Sequence, residues 1–267
     1  MMYSLPTLAM AFGLTLFAGL STSIGAGIAV SKRNPGPAFM AAALGLSAGV
    51  MLYVSFMEIL PTGLDQLTEA YGSEKTGTWA LVLAFFAGIA VIAIIDRLVP
   101  EEINPHEPAT TEEAARRKRL MKTGVFTASA LAFHSFPEGF ATFLAGLEDP
   151  RIAIPVAVAI AIHNIPEGIA VAVPLCEATG SRAKAFWWAT ISGLAEPVGA
   201  VVGFLLLLPL MGPATMGFSF AAIAGIMVFI SLDELLPTAE ETGEHHYAIY
   251  GLIAGMAIMA LSLLMFL

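Results

Sequence analysis

Charge is scarce in this chain. Of its 267 residues only 12% are Asp, Glu, Lys or Arg, against roughly a quarter in an ordinary soluble domain. So few charges cannot cover a water-facing surface, which excludes a soluble globular protein. The 12 basic residues are outnumbered by 21 acidic ones, and the formal charge is −9. They form a run in one loop only, so nucleic acid is excluded as a partner, because phosphate binding needs clustered Lys and Arg. Cysteine occurs once, as Cys176, which rules out an internal disulfide and a thiolate metal cage. No H-E-x-x-H is present, which argues against a zinc protease. Met1 to Pro6 carries no base and the first apolar stretch outruns a signal-peptide core, so that stretch is expected to stay as a helix.

What is abundant is apolar sequence: 57% of residues, with a mean hydropathy of +0.81. Eight stretches are long enough to cross a hydrocarbon core of about 30 Å as helices. They are Thr7 to Val30, Ala38 to Leu60, Thr78 to Leu98, Thr123 to Leu147, Ile152 to Pro174, Lys184 to Leu208, Ala214 to Leu236 and Tyr247 to Leu267. The expected fold is an all-α integral membrane protein with eight transmembrane helices, a single polytopic domain over residues 1–267 embedded in lipid. Ten bases (Lys32, Arg33, Arg97, Arg116, Arg117, Lys118, Arg119, Lys122, Arg182, Lys184) follow odd-numbered spans, and only Lys75 and Arg151 lie opposite. The positive-inside rule then puts both termini on the non-cytoplasmic side and residues 100–122 in a cytoplasmic loop between the third and fourth spans.

Two internal similarities stand out. VSFMEILPTGLDQ in the second span matches FISLDELLPTAEE in the seventh, aligning Glu58 with Glu234 and Pro61 with Pro237. These spans run in opposite directions, the signature of an inverted repeat as found in alternating-access transporters. FHSFPEGFA and IHNIPEGIA, in the adjacent fourth and fifth spans, match more tightly and form the centre of that arrangement.

Ionisable groups near midmembrane are His134 and Glu138, His163 and Glu167, and Glu196. A charged carboxylate there costs at least about 2.5 to 3.5 kcal/mol, and no base is at hand to pair with it. Protonation or a bound cation must compensate. Each His and Glu stand four residues apart, so each pair shares one helix face and forms a two-pronged arm. Imidazole and carboxylate suit zinc, iron, manganese and other divalent ions. Pro137, Pro166 and Pro197 lack the N–H that would bond the carbonyls of Phe133, Ile162 and Gly193, which opens the backbone beside these ligands. The G-x-x-x-G pairs Gly45 with Gly49, Gly199 with Gly203 and Gly251 with Gly255 are expected to permit close helix crossings. Trp79, Tyr71, Trp187 and Trp188 fall where interfacial aromatic anchors belong.

HSFPEG, HNIPEG and ISGLAEPVGA, on a chain of eight predicted spans, resemble the ZIP (Zrt/Irt-like) family of divalent metal transporters, most closely its short bacterial zinc-uptake subfamily. The resemblance covers essentially the whole chain. It implies import of zinc, with iron, manganese and cadmium as further cargo, into the cytoplasm across a bacterial plasma membrane. It implies a binuclear-type metal site at His134, Glu138, His163, Asn164, Glu167 and Glu196, and an elevator-like motion of one helix bundle against another. It also implies a homodimer, no catalytic cofactor and no enzymatic activity. One departure is Ser135, where the family often has Asn; a hydroxyl is the weaker donor, so the second ion position is altered here.

Two other readings use the same carboxylates: an intramembrane metal-dependent hydrolase and a proton or sodium exchanger. Di-iron bundles space Glu and His differently, at i and i+3. Glu58, Asp233 and Glu234 are either cation-handling groups at the two mouths or ordinary charges at helix ends. His245 and His246, with Glu240, Glu241 and Glu244, are either exit ligands or solvated, and His106 is a weaker metal candidate.

Overall fold

A computed structural model describes residues 4–31, 36–98, 112–148, 150–207 and 212–265, and all regular structure among them is helical. A bilayer offers no water to satisfy backbone groups, so a helix, which bonds its own, is the economical way across. The elements are α1 (Leu5–Ser31), α2 (Pro37–Val54), α3 (Leu60–Tyr71), α4 (Glu74–Leu98), α5 (Glu112–Glu148), α6 (Pro150–Thr179), α7 (Arg182–Gly193), α8 (Ala195–Val202), α9 (Pro213–Phe229), α10 (Leu236–Glu240) and α11 (His245–Met265). Among described residues, six stretches are long and apolar enough to cross a membrane: Leu5–Ser31, Pro37–Tyr71, Glu74–Ile95, Arg182–Leu205, Pro213–Glu240 and His245–Leu264. The chain is an all-α integral membrane protein. α5 and α6, which contain the remaining two expected spans, are 37 and 30 residues long.

Three departures from the expected spans matter. The second and seventh are longer than their apolar runs, because helix continues through Pro61 to Tyr71 and through Pro237 to Glu240. Both prolines follow a π-helical turn, Ser55–Ile59 and Ile230–Leu235. In each, the residue before the proline bonds five residues back, Leu60 N–H to the Ser55 carbonyl and Leu236 N–H to the Ser231 carbonyl. The wider turn makes room for a ring that would otherwise strike the carbonyl four residues back. The sixth span breaks at Leu194, a turn between α7 and α8 just ahead of Pro197. Gly72 and Gly180, both at φ 63°, close the short α3–α4 and α6–α7 connections in a left-handed conformation that side chains resist.

The helices sort into two bundles: α1, α5, α6, α7 and α8 pack together, as do α2, α3, α4, α9, α10 and α11. Glycine is the means. In the first bundle a methyl group on Gly25 would overlap the Ile165 carbonyl, and one on Gly168 the Thr22 carbonyl. Gly139 meets the Glu196 carbonyl and Gly199 the Phe136 carbonyl in the same reciprocal way. In the second bundle Gly49 meets Leu252, Gly255 meets Leu46, Gly225 meets Phe85 and Gly88 meets Ala222. Lipid gives helices no hydrophobic reason to associate, so backbone contact over small residues supplies the packing. Each described glycine that touches another helix does so within its own bundle. Between the bundles, Ser47 Oγ donates to the Pro166 carbonyl at 2.7 Å.

Large apolar residues face outward, including Phe17, Ile24, Leu83, Phe86, Ile191 and Leu261. Trp79, Tyr71, Trp187 and Trp188 are exposed, as anchors at a lipid interface must be.

Candidate metal centre

The first bundle holds the expected ligands. Glu138 lies on α5, Asn164 and Glu167 on α6 and Glu196 on α8, and all four are buried. His134 on α5 and His163 on α6 have described backbones only, so their ligand roles lie outside the described side chains; helical register sets each one turn from its Glu. α5 and α6 stay helical through Pro137 and Pro166.

Two glycines bring the α5 and α8 ligands together. Gly139, next to Glu138, lies against the backbone of Glu196. No other residue type fits there. On the opposite side Gly168, next to Glu167, lies against Thr22 of α1. Gly193, whose carbonyl Pro197 leaves without its usual helical partner, packs against Gly19 of α1.

Asn164 is the joint of the site. It is fully buried, and its Nδ2 donates to the Ala18 carbonyl at 2.9 Å and, through a short hydrogen bond, to Glu196 Oε1. Both partners are acceptors, so the amide nitrogen must face them and the amide oxygen must face away. That Oδ1 is buried with no hydrogen-bond partner. A buried carbonyl oxygen left unpaired costs about 1–3 kcal/mol. Amide and carboxylate oxygens are donors of the kind that suit divalent ions.

Among the described residues no three His, Cys, Asp or Glu side chains form a closed metal cluster. Ser135, where an asparagine was expected from the family pattern, is buried beside Glu138's turn.

The outlying candidates separate. Glu58 and Glu234 are not at helix ends: each lies inside a π turn within a longer helix, for the proline reason given above. Glu234 is buried and accepts a hydrogen bond from Thr123 Oγ1 at 2.9 Å, whereas Asp233 is exposed. His245 is exposed with Nδ1 3.2 Å from Glu240 Oε1, His246 stacks on Tyr250, and Glu241 pairs with Arg119 at 3.3 Å. His106 lies outside the described residues.

Sequence reasoning missed the part α1 plays. Its Ala18 carbonyl holds Asn164, and Thr22 and Gly25 line the packing face. The signal was there: Thr22, Gly25 and Ala26 repeat the spacing of Glu196, Gly199 and Ala200.

Fold and site together define a polytopic helical membrane protein with three buried glutamates and a buried asparagine on α5, α6 and α8. A family model described as ZIP Zinc transporter matches residues 99–263. The chain is 77% identical to the zinc transporter ZupT of Corynebacterium aurimucosum, over 98% of this chain and 99% of that one. It is 68% identical to the zinc transporter ZupT of Corynebacterium glutamicum, over 96% and 98% of the two chains. With the one from Streptococcus mutans the identity is 58%, over 96% and 97%. The chain belongs to the ZIP zinc transporter family.

Proposed function

We propose that this chain imports divalent metal, zinc foremost, into the cytoplasm by alternating access through a midmembrane site of His134, Glu138, His163, Asn164, Glu167 and Glu196. The observation that carries this reading is the buried Asn164 Oδ1, which has no hydrogen-bond partner while its Nδ2 donates to the Ala18 carbonyl and to Glu196. The relatives carry the name of zinc transporter, and neither the hydrolase nor the exchanger reading gains support from them. Iron, manganese and cadmium are further cargo that the same donor types accept.

The chain crosses the membrane eight times as an inverted repeat, with both termini outside. Four reciprocal glycine pairs favour this. Adding 174 to Thr22 and Gly25 gives Glu196 and Gly199, and adding 29 to Ile165's counterpart Phe136 and to Gly139 gives Ile165 and Gly168. The α1–α6 pairing then becomes the α8–α5 pairing. Adding 176 to Leu46 and Gly49 gives Ala222 and Gly225, and the α2–α11 pairing becomes the α9–α4 pairing. The π turns Ser55–Ile59 and Ile230–Leu235 obey the same 176-residue shift, down to Ser55 Oγ donating to the Met51 carbonyl and Ser231 Oγ to that of Met227.

In the proposed cycle a cation sheds part of its hydration, binds between α5, α6 and α8, and leaves after the first bundle moves against the second. An open, incomplete ligand set keeps it releasable. Assembly as a homodimer rests on family likeness. Zinc-65 uptake into proteoliposomes tests the reading. The parent protein accumulates the isotope, and Glu138→Ala and Glu167→Ala lose about 10- to 100-fold or more, the range seen when even outer-shell metal partners are removed. A parent protein that takes up no zinc under a gradient overturns it.

A further inference from the structure

Thr127 of α5 is fully buried, and its Oγ1 has no hydrogen-bond partner. A hydroxyl on a helix has a ready outlet in the carbonyl one turn back. Thr15, Thr142 and Ser129 take it, donating to the carbonyls of Ala11, Glu138 and Val125 at 3.0, 2.9 and 2.9 Å. Thr127 does not. Valine would fill the same space with no oxygen to satisfy, and the 29-residue shift that superposes HSFPEG on HNIPEG takes Thr127 to Val156 and Thr123 to Ile152. The hydroxyls belong to one half of the repeat only, the half that adjoins the bases Arg116 to Lys122 and hence the cytoplasm.

The stripe of α5 that bears Thr127 can be located. Thr123, Thr127, His134 and Glu138 follow one another at intervals of four, seven and four residues, which keeps them on one helix face. Thr123 shows what that face meets, because its Oγ1 donates to Glu234 and lies 3.5 Å from Thr238 Oγ1, both in the other bundle. The stripe therefore meets the other bundle at Thr123 and Glu234, near the cytoplasmic end, and runs from there along α5 to the midmembrane Glu138. Fifteen residues of helix separate Glu138 from Thr123, about 22 Å at 1.5 Å per residue. A divalent cation cannot cross that distance through apolar side chains without an oxygen to lean on.

We propose that Thr127 Oγ1 is a transient oxygen ligand for the metal ion leaving Glu138 for Glu234. The proposal rests on the transport reading above. A neutral hydroxyl binds weakly, which is what an intermediate station requires: attraction enough to admit the ion and too little to hold it.

The test is Thr127→Val, with Thr127→Ser beside it and Glu138→Ala as the control for the transport reading. Zinc binding to the detergent-solubilised protein is measured by titration calorimetry, and zinc-65 uptake in proteoliposomes. Thr127→Val is expected to bind zinc as the parent does and melt no lower, yet take it up about fivefold more slowly, the rate equivalent of roughly one modest polar contact. Thr127→Ser keeps the parent rate. If Thr127→Val transports at the parent rate while Glu138→Ala does not, this proposal fails and the transport reading stands. If Thr127→Val loses binding in step with uptake, the hydroxyl serves the main site and the proposal likewise fails. If the parent itself takes up no zinc, both readings fall.

Discussion

Asn164 and Ser135 occupy matching places in the two H-x-x-P-E-G motifs, and the difference between them is one of reach and polarity. Asn164 spans from the Ala18 carbonyl to Glu196 and still presents an oxygen. A serine is too short to bridge two helices and present an amide oxygen at once. The burial of Ser135 leaves it inside the protein without that oxygen, so the α5 arm is the poorer of the two. Replacing Ser135 by Asn should raise zinc affinity by about five- to tenfold, the worth of roughly one added oxygen contact near 1 kcal/mol, and shift the ranking of zinc against manganese and cadmium. Competition among the three metals in zinc-65 uptake measures this; an unchanged ranking removes Ser135 from any part in selectivity. Protons compete with metal for Glu and His ligands, so the comparison belongs at fixed pH.

At the scale of elements, close packing over glycine does what charge pairs and apolar burial do in water-soluble proteins. Gly168 and Gly27 make the contrast testable. A methyl group on Gly168 would collide with the Thr22 backbone, while Gly27, on the neighbouring α1, has open space around its Cα. Gly168→Ala should lower stability by about 1–3 kcal/mol or more, the cost of overpacking, and Gly27→Ala should not. Thermal unfolding in detergent reads the difference, and equal midpoints would mean that the α1–α6 contact yields freely. Much of this was legible in the amino-acid sequence. Apolar runs betray helices because a bilayer permits little else, and His and Glu four residues apart announce a shared face. The G-x-x-x-G pairs mark the crossings at which they are found. Other features were not legible. The π turns Ser55–Ile59 and Ile230–Leu235 depend on how a proline ring is relieved inside a packed helix, so the helix runs on through Pro61 and Pro237, past the expected span ends at Leu60 and Leu236. The helix of the fourth span begins at Glu112, ahead of the expected span start at Thr123, through EEAARRKR, which consists of strong helix formers. The partner of each glycine is invisible along the chain, because a membrane helix apolar on every side carries no stripe to say which neighbour it meets.

The described helices form two bundles, each locked internally by glycine-to-carbonyl contact, that meet along a seam. Steric interlocking of glycine with carbonyl fixes helices to within a fraction of an ångström, whereas single hydrogen bonds such as Ser47 to Pro166 and Thr123 to Glu234 can break and form again at modest cost. A molecule built this way yields first at the seam, and rigid-body motion of the first bundle against the second is the movement its packing allows. Two cysteine pairs, in a Cys176→Ser background, separate this from a fixed pore. Thr123→Cys with Thr238→Cys bridges the seam, since the native hydroxyl oxygens stand 3.5 Å apart. Ser23→Cys with Thr190→Cys joins α1 to α7 inside the first bundle, where the hydroxyls are 3.0 Å apart. Both distances are within reach of a disulfide after small adjustment. Oxidation of the seam pair should stop zinc-65 uptake and reduction should restore it, while oxidation of the internal pair should leave uptake within about twofold of the reduced protein, because a bond within one rigid body removes no motion between bodies. Undiminished uptake through an oxidised seam would mean that the bundles stay still and that the ion finds its way between them unaided.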